Sequence, residues 1–229
     1  MTQPLISFVA PTYNNIAWLP EMIQSILAQT IHDIELIIVN DGSTDGTKEF
    51  LDDWAVKDDR VMIVHNETNL GAGPSRNIGM NLAKADIIGV CDADDCYPVE
   101  RAEITLEHFK KYPESELINY GYLSVGYNNE IVEYYDGKPF DHEDFVKTGQ
   151  ISYFCNPTVA YKKESGIEMG GYPKENQGMT DDAQFVKNWI QSGRKIDFQH
   201  GPYMCMHRVL PTSMMTKFRG FKPEWVTKK

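Results

Sequence analysis

Positive charge, paired cysteines and long apolar runs are all in short supply in this sequence. Its 22 lysines and arginines face 33 aspartates and glutamates, giving a formal net charge of −11 at pH 7. Nucleic acid is held through clustered Lys and Arg, so no nucleic-acid partner is expected. An acidic protein that binds a phosphate ester usually needs a cation to do so. Cysteines at 91, 96, 155 and 205 form no C-x-x-C pair and have no zinc-type spacing with the 6 histidines. They read as free, mostly buried thiols. No apolar run approaches the roughly 20 residues of a membrane-spanning helix. The richest runs, 36–39 and 87–91, read as buried strands. Met1-Thr2-Gln3-Pro4 carries neither a basic n-region nor an apolar h-region with a cleavage site, so no secretory signal is expected and the cytoplasm is the expected compartment. Repeats and low-complexity segments are also lacking.

What is present suits a folded domain. At 229 residues, with 41% apolar and 24% charged content, the chain fits one domain, or one domain with a small appendage. Its first half alternates β-branched runs with amphipathic patterns, the mark of βαβ units and a mostly parallel sheet. Strands are expected at 6–10, 35–40, 61–65 and 87–91, and helices at 18–28, 47–56 and 74–83. Leu19, Ile23, Ile26 and Leu27 recur at helical spacing and should face the sheet. After a helix near 99–112 the pattern changes to strands near 117–125 and 131–135, then aromatic-rich loops up to Pro173. A helix at 181–192 and two strands, 195–198 and 203–207, complete a mixed or antiparallel second half. The tail from Thr212 carries Lys or Arg at 217, 219, 222, 228 and 229 against Glu224, so it is +4 and the rest of the chain is −15.

Three of the expected strands end in polar, turn-forming residues: Pro11-Thr12-Tyr13-Asn14, Asp41-Gly42-Ser43 and Asp92-Ala93-Asp94-Asp95. Ligands of open α/β sheets bind outside the carboxyl ends of the strands, so these tips outline one crevice. Asp92-Ala93-Asp94-Asp95 is the most informative of them. In an extended chain Asp92 and Asp94 point the same way, converging on one ligand. Carboxylates repel a diphosphate unless a hard cation such as Mg²⁺ or Mn²⁺ lies between them. A lone D-x-D is common and reads as a solvated acidic loop, but this one does not stand alone.

Together with 9–14, 37–45 and 69–79, the block at 92–95 makes the sequence resemble the large family of inverting glycosyltransferases of the GT-A fold, family 2. The segments Val9-Ala10-Pro11-Thr12-Tyr13-Asn14, Ile37-Ile38-Val39-Asn40-Asp41-Gly42-Ser43-Thr44-Asp45 and Asn69-Leu70-Gly71-Ala72-Gly73-Pro74-Ser75-Arg76-Asn77-Ile78-Gly79 stand in that family's order and spacing. The likeness is close from residue 5 to about 100 and looser to about 215. It implies an α/β, GT-A-type three-layer sandwich spanning 1–211. Residues 1–98 would be a Rossmann-like half that binds the nucleotide sugar, 99–211 a mixed-sheet acceptor half, and 212–229 a basic aromatic tail. The implied activity moves a sugar from a nucleotide diphosphate donor, UDP-linked, to an acceptor hydroxyl of a cell-surface glycan or glycolipid precursor, with inversion and with Mn²⁺ or Mg²⁺.

By the same resemblance Pro11, Thr12 and Tyr13 wall the nucleotide pocket, and Asp41 accepts a hydrogen bond from the base, typically uracil N3–H. Asp92 and Ala93 lie on the ribose or base side, and Asp94 holds the metal. Asp95 either helps or caps the following helix. Arg76 sits in a glycine-bearing loop that enters a helix, where it would add charge near the diphosphate or the base; alternatively the glycines only shape the turn. Gly170-Gly171-Tyr172-Pro173 and Thr180-Asp181-Asp182 resemble the family's G-G-[FY] loop and acidic helix start, which makes Asp182 the implied general base. The other reading has Thr180 capping that helix while Asp181 and Asp182 complement its dipole.

One departure stands out. Relatives carry a C-terminal Arg-x-His-Pro-x-Ser-type segment whose His can ligate the metal, whereas aligning Pro211 and Ser213 here puts Leu210 at the histidine position. His207 then reads as an unliganded surface histidine and Arg208 as the safer phosphate contact.

Rival functions are weaker. A sugar nucleotidyltransferase needs a Gly-rich basic loop after the first strand, and an NAD-dependent oxidoreductase needs G-x-G-x-x-G there; 11–15 offers neither. A catalytically silent nucleotide-sugar-binding module is favoured by the missing histidine and disfavoured by intact Asp94 and Asp182. Acceptor recognition is expected in the second half, where Tyr120, Tyr122, Tyr127, Tyr134, Tyr135, Tyr153 and Phe154 either stack on sugar or, for most of them, fill a core. Met214, Met215, Phe218, Phe221 and Trp225 with the basic tail suit weak peripheral contact with the inner face of a membrane, or packing back on the domain.

Overall fold

A computed structural model describes residues 3–126, 130–136, 154–174 and 180–209. The element order is β1 (Ile6–Thr12), α1 (Leu19–Leu27), β2 (Ile34–Asn40), α2 (Thr47–Ala55), β3 (Val61–His65), α3 (Ala72–Leu82), β4 (Ile87–Val90) and α4 (Arg101–Lys111). It continues through β5 (Leu117–Val125), β6 (Ile131–Tyr135), a 3₁₀ turn (Asn156–Thr158), β7 (Ala160–Lys162), α5 (Lys163–Glu168), α6 (Asp181–Gln191) and β8 (Ile196–Arg208). The first-half strands and helices lie within two residues of where periodicity places them.

One eight-stranded sheet runs through both halves, in the order β3-β2-β1-β4-β7-β5-β6, with β8 on the other edge of β5. β3, β2, β1 and β4 are parallel. β7 is antiparallel to β4 and β5, β6 is antiparallel to β5, and β8 is parallel to it. β1 and β2 are buried over their whole length, which requires cover on both faces. Alternation divides that cover. Ile6, Phe8, Ala10, Leu36 and Ile38 pack with Leu19, Met22, Ile23 and Ile26 of α1, Leu51 of α2 and Ala102 of α4. Val9, Ile37 and Val39 pack with Met80 of α3 and with Phe185, Val186, Trp189 and Ile190 of α6. The result is three layers, helix–sheet–helix.

Two expectations for the second half are corrected. The stretch before Pro173 is not all loop, because β7 fills the slot between β4 and β5 and joins the two halves of the sheet. Three residues are too few to show a strand period. The two final strands are one, β8, whose pairing with β5 shifts register around Gly121 and so interrupts the alternation on which the division rested. Among the aromatics, Tyr120 and Tyr122 are core while Tyr134 is exposed; Tyr135 stacks on Tyr122 with ring centroids 4.5 Å apart. Tyr127, Tyr153 and the tail at 212–229 lie outside the described residues.

Candidate active site

At the carboxyl edge of β1 and β2 the two loops are sewn together. Asn14, whose φ of 53° is left-handed, donates its backbone N–H to Ser43 Oγ at 2.9 Å, and its Oδ1 accepts from Thr44 N at 2.8 Å. Pro11 and Thr12 are buried at the end of β1, while Tyr13 stands 48% exposed beyond them. Thr12 Oγ1 is buried without a partner among the described residues.

Asp41, buried at the end of β2, organises the loop that leads into α3. Its Oδ1 accepts from Asn66 Nδ2 and from Leu70 N, and its Oδ2 from Gly71 N, each at 2.8 Å. A carboxylate offers about four acceptor positions. These bonds use three of them and leave one on Oδ2.

Asp92 to Asp95 is not extended. Asp95 N donates back to Asp92 O at 3.3 Å, closing a turn. This corrects the idea that Asp92 and Asp94 share a face by two-residue spacing; each carboxylate takes its direction from its partners. Asp92 accepts from Arg76 at 2.8 Å. Asp95, fully buried, accepts from Arg208 N at 2.8 Å and from His207 Nδ1 at 3.2 Å, with Cys205 Sγ 3.3 Å away. It therefore anchors the turn to β8 and does not cap α4, which starts at Arg101.

His207 and Arg208 are likewise corrected. The His207 side chain is only 16% exposed and is bonded to Asp95, so it is no free surface histidine. Burial opposes its charge, but Asp95, Asp94 and Asp92 together hold its pKa up at about 9. Arg208 is buried, donates to Asp94 O at 3.0 Å and Glu21 at 2.7 Å, and lies 4.2 Å from the Trp18 ring centre. It braces the turn against α1 and is not presented to a phosphate. Sequence patterning gave no hint of Trp18 or Glu21, whose role exists only because β8 passes beside α1.

Arg76, expected in the loop entering the helix, lies within α3 itself. It is 7% exposed and donates to Asp181 at 2.7 Å as well as to Asp92, joining the acidic turn to the start of α6. Burial works against its charge, yet Asp92 and Asp181 outweigh that and hold the guanidinium protonated more firmly than usual. Asn77 brackets the 170–173 loop in both directions, donating to Tyr172 O and accepting from Tyr172 N at 2.7 Å. Gly171, at φ 67°, makes room for this, since a Cβ there would meet Asn77 Oδ1 at 2.3 Å. Thr180 precedes α6 without a side-chain capping bond, and Asp182 Oδ1 accepts from Ala183 N at 2.7 Å. Burial, and then the charges of Asp95, Asp92 and Asp182, push the Cys155 thiol well up.

The family model for glycosyl transferase family 2 matches residues 7–169, which take in β1 through α5 and the acidic turn. The chain belongs to glycosyl transferase family 2. It is 34% identical over 132 residues to glycosyltransferase GlyG of Streptococcus pneumoniae, covering 52% of this chain and 44% of that one. Among solved structures it resembles Staphylococcus aureus TarS 1-349 in complex with UDP, with a TM-score of 0.71 and 20% identity over 90% of this chain and 61% of that one. It also resembles the mannosyltransferase PcManGT of Pyrobaculum calidifontis in complex with GDP-Man and Mn²⁺, with a TM-score of 0.68 and 19% identity over 96% of this chain and 61% of that one. These likenesses show the GT-A fold. The chain thus spans less than two thirds of the length of each of these relatives.

Members of this family often use a divalent metal, and the Asp92–Asp95 turn carries carboxylates of the kind such an ion takes. Burial, then the charges of Asp95 and Asp92, push Asp94 up to about 7. A hard cation beside Asp94 would relieve that repulsion, and carboxylate oxygens are the donors that Mg²⁺ and Mn²⁺ prefer. No group of three or more His, Cys, Asp or Glu among the described residues forms a ready metal cage. One or two protein carboxylates suffice where phosphate oxygens complete the shell.

Proposed function

We propose that this chain transfers a sugar from a UDP-linked donor to an acceptor hydroxyl of a cell-surface glycan or glycolipid precursor, with inversion at the anomeric carbon. One observation carries the reading: Arg76 ties Asp92 of the acidic turn to Asp181, so a donor-side carboxylate cluster and the α6 carboxylates meet at one edge of the sheet. Pro11, Thr12 and Tyr13 wall the nucleotide, and the remaining acceptor position of Asp41 takes an imide N–H of the base. Asp92 and Ala93 lie along the ribose. Asp94 holds Mn²⁺ or Mg²⁺, which when bound neutralises charge on the departing diphosphate. Asp182 takes the proton of the acceptor hydroxyl as that oxygen bonds to the anomeric carbon and the diphosphate leaves with the electron pair of the broken C–O bond. That UDP and GDP-mannose are bound by structures of this fold supports a nucleotide-sugar donor.

Thermal stabilisation by UDP and Mn²⁺, together with release of nucleoside diphosphate from a panel of UDP- and GDP-sugars, tests the reading. Asp94→Ala is expected to abolish nucleotide release and to remove the Mn²⁺-dependent stabilisation by UDP. A variant that keeps that stabilisation would place the metal elsewhere, and a wild-type chain that binds UDP without turning over any donor would be a silent binding module.

A further inference from the structure

Arg76 stands on α3, in neither segment that carries the carboxylates, yet its terminal nitrogens reach one carboxylate in each. Its Nε is buried with no partner among the described residues. An unmade buried hydrogen bond is costly, so the guanidinium is oriented to span Asp92 and Asp181 at the expense of its own satisfaction. The Tyr172 ring centre lies 5.2 Å from it, and Asn77, one residue along α3, clasps the backbone of Tyr172. Asp181 is itself only 5% exposed. Asp182, by contrast, accepts from Ala183 N in its own helix, so its place is inherited from the first turn of α6.

We propose that Arg76 and Asp181 form a positioning pair that sets the first turn of α6 against the Asp92–Asp95 turn and thereby places the Asp182 carboxylate at the reacting centre. This rests on the reading of Asp182 as the general base. The Arg76 guanidinium is planar, and its two terminal nitrogens fix both distance and angle between the carboxylates it joins, which a lysine ammonium does not. Small losses of geometry at a reacting group are costly in rate while leaving donor binding alone.

The test uses the full chain and the UDP-sugar from which wild type releases UDP fastest with Mn²⁺, comparing wild type with Asp181→Asn, Arg76→Lys and Asp182→Asn. Asp181→Asn and Arg76→Lys are each expected to lower kcat by tenfold or more, with donor KM within about twofold of wild type and UDP stabilisation retained. A lower melting temperature with unchanged kcat would mean that the pair is only a fold element. A raised donor KM with unchanged kcat would mean that it serves the nucleotide, and either result overturns the proposal. Should Asp181→Asn fail to fold, Arg76→Lys decides by the same split. Undiminished release by Asp182→Asn would sink the base assignment instead, and a wild-type chain without release would sink both.

Discussion

Three carboxylates within four residues meet different fates because of what surrounds each. Asp92 is charge-paired with Arg76, Asp95 is locked into β8, and Asp94 is pushed up by burial and then by the charges of both, against the opposing charge of His207. The sequence made all three visible as an acidic cluster, but their different partners come from Arg76, 16 residues earlier, and β8, more than 100 residues later. Asp182 shows the same limit. Its resemblance to a family position named it, and only the structure shows that its neighbour Asp181 takes the salt bridge. Asp182→Asn keeps the shape of the side chain and removes its basicity. Donor-dependent stabilisation should therefore stay near wild type while transfer falls by about 10²-fold or more, the loss expected for a general base. Equal rates in the two proteins would move the base to another residue.

At the scale of elements, α3 does more than its hydrophobic pattern announces. Its start receives the Asp41-held loop, its middle carries Arg76 and Asn77, and Gly79 lets the helix approach β1 closely. A Cβ at Gly79 would lie 2.4 Å from Val9 Cγ1. In an exposed helix, Gly→Ala gains up to about 1 kcal/mol in propensity. Here Val9 is buried and stiff at χ1, so the clash should prevail at about 1–3 kcal/mol. Gly79→Ala is accordingly expected to lower the melting temperature by several degrees, since a chain of this size loses roughly 2–4 °C per kcal/mol. A raised melting temperature would show that α3 does not press on Val9. Glycine in a helical pattern could have flagged a close approach, but not what it approached.

Over the whole molecule, charge is unevenly divided. The last 18 residues carry +4 while the remainder carries −15, and among the described residues no helix is long and apolar enough to cross a membrane. Each basic residue near an anionic bilayer contributes about 1 kcal/mol, so contact through 212–229 would be weak and sensitive to salt. If that contact exists, the intact chain should co-sediment with phosphatidylserine-containing vesicles at low salt and not at high salt, and a chain truncated after Pro211 should not co-sediment. Equal sedimentation of the two proteins would leave the tail without a role at the membrane.

The sequence by itself determined the parallel half. Strong β-branched runs, helical spacing and turn residues at strand ends are local signals, and they place β1 to β4, α1 to α4 and the edge where the site lies. Its motifs also named the family. Tertiary structure alone decided which charges meet. β7 is too short to show a period, and the shifted register of β8 breaks its alternation, yet β7 joins the two halves of the sheet and β8 supplies the partners of Asp95. Salt bridges such as Arg76–Asp181, 105 residues apart in the chain, depend on the packing of α3 and α6 on one sheet face. No local pattern encodes such a distance, because it is fixed by how the buried faces of separate elements fit together.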